Sequence, residues 1–136
     1  MSVMYKSTAR IEPGVLGGGQ PKYYATIVRE RPVELRKFAN EISNMSTLTT
    51  TDVYAVLESL VDRMYVHLEE GRIIKLGEFG SFSPSINSTG AQLPEQVNQS
   101  SIKRFKINFR PSSLLSERLS NVSFEKVGNG SIEQVE

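Results

Sequence analysis

Ile74-Lys75-Leu76-Gly77-Glu78-Phe79-Gly80-Ser81-Phe82 is the stretch that decides the fold of this 136-residue chain. Two short apolar runs flank a Gly-x-x-Gly segment. Glycines three apart let the backbone reverse sharply, because they reach dihedrals closed to other residues. A short strand over 72–76, a tight turn and a second strand over 81–86 follow.

Working outward, the segment before this hairpin is helical. Thr49 is a suitable N-cap, and Asp52 three residues on is the acidic half of a capping box. Val53, Val56, Leu57, Leu60, Val61, Met64 and Leu68 repeat at helical spacing for about twenty residues. Gly71 supplies the stop. So wide an apolar face exceeds what one short neighbour covers and calls for burial against a second chain. An earlier helix opens at Pro32 and carries Leu35, Phe38, Ala39 and Ile42 as one stripe. Residues 44–48 form the turn between the two helices.

Beyond the hairpin, 87–101 is polar and of low complexity, which reads as a mobile arm. A strand over 102–110 has two distinct faces. Phe105, Ile107 and Phe109 point one way, while Arg104, Lys106, Asn108 and Arg110 point the other. Pro111 ends it. Ser112 or Ser113 caps a last short helix with Leu114, Leu115 and Leu119 on its apolar side. Residues 121–136 read as a flexible tail. At the other end, 3–11 and 23–30 read as two strands of a hairpin. The loop of 12–22 between them holds four glycines and two prolines. Neither phosphate-cradling glycine spacing occurs in that loop, and it leads into a strand.

Composition excludes several classes. There is no cysteine, so disulfide and thiol chemistry are out. That is compatible with a reducing cytosol. No run approaches the roughly 18 apolar residues of a membrane span. The N-terminus has no secretory pattern. The single histidine, His67, with no cysteine, gives no zinc set, and its place near Leu60 and Met64 fits packing. No serine sits in a nucleophile elbow or beside a base, so no enzyme is expected. The formal net charge of +1 is segregated. Residues 1–38 carry seven Lys/Arg against three Asp/Glu, 39–71 one against six, and 72–118 seven against three. An anionic partner would meet the first and third blocks.

The order helix, long helix, strand, Gly-Glu-Phe-Gly turn, strand, polar arm, strand, short helix resembles the HU and integration-host-factor family. Residues 74–82 and Phe109-Arg110-Pro111-Ser112-Ser113-Leu114-Leu115 carry the likeness. Ser112 and Ser113 stand where the family usually has Gly and Lys. The resemblance covers 33–119. The added N-terminal strands look like the HU-like variants of Bacteroides-type bacteria. The resemblance implies an α+β, HU-like fold. Its parts are a helical dimerisation base, a three-stranded antiparallel sheet with a β-arm, and an N-terminal strand extension. The expected divisions are 1–31 for the extension, 32–120 for the HU-like domain with the arm at 85–101, and 121–136 for the tail.

It also implies a homodimer that binds double-stranded DNA with little sequence preference, as a nucleoid-associated architectural protein of the bacterial cytoplasm. No cofactor, metal, membrane or small-molecule substrate is expected. The DNA contacts fall on Lys103, Arg104, Lys106 and Arg110, extended by Arg72 and Lys75. Pro94, with Leu93, would be a wedge at the arm tip. The arm departs from the family: 85–101 holds no Lys or Arg and one acid, Glu95. An alternative is therefore an HU-shaped scaffold for protein assembly that has lost general DNA binding.

Overall fold

The computed structural model describes residues 1–11, 14, 16–17 and 19–128. Parts of the glycine-rich loop (12, 13, 15 and 18) and the end of the expected tail (129–136) lie outside the described residues. The chain divides into two units, Val33–Arg118 and a second made of Met1–Pro32 with Leu119–Glu136.

In the larger unit, α1 (Leu35–Asn44) and α2 (Thr50–Glu69) pack against each other. α1 begins three residues later than Pro32 promised. Glu34 is the N-cap, and its carbonyl accepts from the N–H groups of Lys37 and Phe38. α2 begins as expected: Thr49 Oγ1 accepts from the Asp52 N–H at 3.2 Å. It ends in a Schellman motif, with Gly71 N–H to Leu68 O and Arg72 N–H to His67 O, both 3.0 Å. Gly71 takes φ +80 there, which a side chain would strain. Between the helices, the Arg36 guanidinium lies 4.9 Å from the centre of the Tyr54 ring. A hydrogen bond with Glu58 raises the Tyr54 pKa above the ordinary tyrosine value, because the phenol donates to a carboxylate.

The sheet of this unit runs β3 (Ile74–Leu76), β4 (Gly80–Ser88), β5 (Ile102–Pro111) in space, all antiparallel. Its register sorts the side chains. Ile74, Leu76, Phe82, Pro84, Ile86, Phe105, Ile107 and Phe109 share one face. Phe109 lies between Phe79 and Phe82, with ring centroids 5.3 and 5.0 Å away. Gly80 is buried against this trio. A Cβ there would sit 2.5 Å from the Arg110 carbonyl oxygen and 2.7 Å from the Phe109 ring. Backbone on one side and a packed ring on the other leave no easy relaxation. Gly80→Ala is therefore expected to destabilise by about 1–3 kcal/mol, as overpacking does. Urea unfolding should show a lowered midpoint with an unchanged slope. An unchanged midpoint would mean that the turn moves freely.

The core within one chain is thin. Among the described residues, the buried apolar ones are Ala39 and Val53, at 0% and 4% exposure, where α1 meets α2. Val56 and Leu60 on α2 stay 63% and 42% exposed, and Phe105, Ile107 and Ile86 on the sheet are exposed too.

Residues 87–101 were expected to be mobile, but hydrogen bonds organise them. β4 continues to Ser88, and the chain then makes two 3-10 turns, Pro94–Gln96 and Gln99–Ser101. The Thr89 N–H donates to Ser101 O at 2.8 Å, which closes the base, and Ser101 is buried. Asn98 caps the second turn by accepting from the Ser100 N–H. Short polar side chains turn back on their own backbone here, so a polar composition produces order.

In the smaller unit, β1 (Ser2–Ile11) pairs antiparallel with β2 (Pro21–Ile27), as the hairpin reading expects. The stretch 121–136 is not all tail. Ser123–Lys126 forms β6, parallel to β1 with Val3 opposite Phe124. The Val127 N–H extends that ladder to Tyr5 O at 2.9 Å. A four-residue strand is stable here because an existing sheet supplies its partner.

Candidate nucleic-acid interface

The face of the β3-β4-β5 sheet opposite the aromatic trio is wholly polar. Register places Ser81 across from Arg110, Ser83 from Asn108, Ser85 from Lys106 and Asn87 from Arg104. Lys75 joins them through its pairing with Ser81. β5 thus contributes a row of cations, β4 a row of hydroxyls and amides, and β3 one further cation. No Asp or Glu lies on this face. Among the described residues, Lys75, Arg104, Lys106 and Arg110 take part in no ion pair. The Asn108 side-chain amide donates to Ser85 Oγ at 3.0 Å, which ties the two rows together. Alternate residues on a strand lie about 6.6 Å apart, so the cations form a ladder on a rigid support. Hydroxyls, amides and cations are the groups that contact phosphate oxygens.

The register brings together four of the seven residues expected to contact DNA: Arg104, Lys106, Arg110 and Lys75. Lys103 falls at the shift between Asn87 and Ser88, where Ser88 pairs with Ile102 and Asn87 with Arg104. It opposes no β4 residue and so falls outside the paired rows. Arg72 is engaged elsewhere. One guanidinium nitrogen is 3.1 Å from His67 Nδ1 and another 3.4 Å from a Glu70 carboxylate oxygen. The guanidinium can only donate, so His67 Nδ1 accepts. Pro94 is the first residue of a 3-10 turn, next to exposed Leu93 and near exposed Val97. The loop tip thus exposes Leu93 and Val97 beside the acid Glu95 and carries no cation.

The alternation Ser81-x-Ser83-x-Ser85-x-Asn87 was visible in the sequence, yet these residues were not counted as site residues. They become contact candidates only through their pairing with β5.

Ser112 anchors the end of this platform. Its hydroxyl accepts from the Leu115 N–H at 3.1 Å, capping α3 (Ser113–Ser120), and also hydrogen-bonds to Glu78 O. Its N–H donates to Phe79 O at 3.1 Å. One residue therefore joins the Gly77–Gly80 turn to the helix after β5. Ser112→Ala should cost about 1 kcal/mol, as loss of an N-cap does. A thermal melt would show it, and an unchanged midpoint would count against the cap.

Comparison with known proteins fits this architecture. A family model described as HU domain fused to wHTH, Ig, or Glycine-rich motif matches residues 1–126. It includes the N-terminal strands. None of the curated proteins compared with the chain matches it. A solved crystal structure from Bacteroides vulgatus, provisionally described as a bacterial DNA binding protein, superposes with a TM-score of 0.63 at 8% identity. The match covers 94% of this chain and 50% of that one, so the chain spans about half the length of that protein. At such identity the likeness shows the fold alone. Among the described residues no helix is long and apolar enough to cross a membrane.

Proposed function

Since the chain belongs to the family of HU domains fused to wHTH, Ig or glycine-rich motifs, we propose that it is a non-catalytic DNA-binding protein acting as a homodimer on duplex DNA with little sequence preference. The observation that carries this reading is the acid-free sheet face. Lys75, Arg104, Lys106 and Arg110 stand there among serines and asparagines. Such a face offers charge and neutral donors to a phosphate backbone. Contacts to phosphate carry no base readout, so the proposed attraction is electrostatic and independent of sequence.

The dimer follows from the thin core. A unit of this size whose buried apolar side chains are Ala39 and Val53 leaves most of its other apolar side chains in water. The exposed stripe through Val56 and Leu60 and the exposed apolar sheet face are the surfaces a second copy would cover. Leu93 and Pro94 at the loop tip are the residues that would wedge into a minor groove. Lys103 would reach phosphate at the loop base. Arg72 would contribute only after leaving His67 and Glu70. A nucleoid location in the bacterial cytoplasm follows from the proposed ligand.

Titration into a labelled duplex of arbitrary sequence at several salt concentrations tests the reading. Affinity should fall linearly with salt on logarithmic axes. Absence of binding at low salt, or binding without a salt slope, would sink it. The cation-free 89–101 loop favours the alternative, an HU-shaped scaffold for protein assembly. That reading would prevail if lysate pull-downs recovered protein free of nucleic acid.

A further inference from the structure

The N-terminal sheet is ordered β2-β1-β6, so β2 is an outer strand. The Val28 N–H donates to Met4 O at 2.8 Å, which makes Met4 and Val28 a hydrogen-bonded pair. Such pairs alternate along an antiparallel ladder. Thr26, Tyr24 and Lys22 therefore also turn their backbone groups to β1, while Tyr23, Ala25 and Ile27 turn theirs to the outer edge. Among the described residues, no backbone hydrogen bond from outside the sheet reaches these three. Proteins blunt exposed edges with short strands, charge or proline. β3 and β6 are three and four residues long, and β5 carries Lys103, Arg104, Lys106 and Arg110. β2 has Pro21 at its first position and Lys22 beside it, but Tyr23 to Val28 run without proline or charge.

We propose that this edge docks the same edge of a second copy, as an antiparallel strand pair with its two-fold axis at Ala25. Ala25 then bonds the partner's Ala25, and Tyr23 bonds the partner's Ile27. The three outward N–H and three outward C=O groups of each copy are all satisfied, in six hydrogen bonds. The side chains suit the same register. Tyr23 and Ile27 are 72% and 52% exposed in the single chain, and they meet twice as an aromatic and β-branched pair. Lys22 falls opposite the partner's Val28, and Arg29 opposite the partner's Pro21, so no like charges face each other. Paired residues share a side of the sheet, so the mainly apolar face of Val3, Tyr5 and Phe124, with Lys126 opposite Tyr5, runs on across the join. The strand is thus complementary to itself, and a second copy is the partner it fits. One strand pair is small for an interface, so it joins copies at high concentration and leaves dilute solutions to the α2 stripe. With the homodimer proposed above, each chain has two two-fold contacts, and copies can assemble beyond a pair.

The test uses the full chain, which has no cysteine, so each introduced thiol is unique. Ala25→Cys would place two thiols on paired residues with Cα atoms about 5.5 Å apart, within reach of a disulfide. Ser7→Cys is the control. Ser7 is exposed and lies opposite Ala25 one strand inward, so its mate would stand about 14 Å away across three strand spacings. Under a mild oxidant and without DNA, Ala25→Cys should give a disulfide-linked product of twice the chain mass, increasing with protein concentration, and Ser7→Cys should give none above background. Tyr23→Cys and Ile27→Cys should each stay unlinked alone and link when mixed, because each faces the other's position. Ala25→Pro added to both should abolish that link. It removes an outward N–H that β1 does not use, and circular dichroism checks that the sheet survives.

If Ala25→Cys links no more than Ser7→Cys at any concentration, the edge belongs to some other strand and the inference falls. If Tyr23→Cys links to itself as readily as to Ile27→Cys, the thiols meet by random collision and the inference falls. A link that persists in folded Ala25→Pro chains would overturn it too, since the outward N–H would then play no part. None of these outcomes touches the DNA-binding reading, which the salt titration tests separately.

Discussion

Leu60→Glu should convert the proposed homodimer to a monomer. Leu60 lies on α2 one turn beyond Val56, and both stay exposed in a single chain. Leu60 is still 42% exposed although its neighbours Leu57, Val61 and Met64 are half-buried. If a second copy covers this stripe, a carboxylate at position 60 is buried without a partner. Uncompensated burial of one charge costs about 3–5 kcal/mol. A two-fold interface repeats the substitution on both sides. Each 1.4 kcal/mol is a tenfold change in dissociation constant, so the loss per copy alone is roughly a hundredfold or more. Sedimentation equilibrium over a range of concentrations reads this directly. A variant of unchanged mass and concentration dependence would move the interface off α2. Unfolding on dissociation would show as lost helical signal and would mean that the single chain lacks enough core to stand alone.

The second large effect belongs to β5. Changing Arg104, Lys106 and Arg110 to Ala together should reduce the salt slope of DNA binding by nearly three units, at about 0.9 per phosphate contact. The loss should be similar on duplexes of unrelated sequence, because contacts to phosphate carry no base readout. Folding should survive, since the three side chains lie opposite the Phe82–Phe109 contact and form no ion pair among the described residues. A wild-type slope in this variant would place the DNA contacts elsewhere in the chain. Loss confined to one duplex sequence would mean base recognition instead.

Much of this interface could be read from local signals. Helix spacing, the Thr49 cap and the Gly71 stop are features of consecutive residues, and α2 begins and ends where they place it. Alternation along 102–110 assigns Arg104, Lys106 and Arg110 to one face without knowledge of the partner strand. The polar arm was harder to read. Its composition matches that of mobile segments, yet Thr89, Asn98 and Ser101 close it by hydrogen bonds among themselves. Composition reports how little apolar area a segment can bury, and it does not report short-range polar bonding. The start of α1 was misplaced because Pro32 is a permissive signal, whereas the N-cap is set by where backbone bonding begins.

The Ile74–Phe82 stretch shows where the two levels divide. The sequence by itself determined the turn, the two short strands and the two faces of β5, since each depends on the residue's own dihedrals or on a period of two. Tertiary structure decided which faces meet. Gly80 is required because the Arg110 carbonyl and the Phe109 ring approach it from thirty residues away in the chain. Arg72 belongs to His67 and Glu70 because the helix end folds it back. Ser81, Ser83, Ser85 and Asn87 join the interface because β4 pairs with β5. Ser123–Lys126 becomes a strand because β1 lies beside it. Each of these depends on a contact between distant segments, and local preferences carry no information about such contacts.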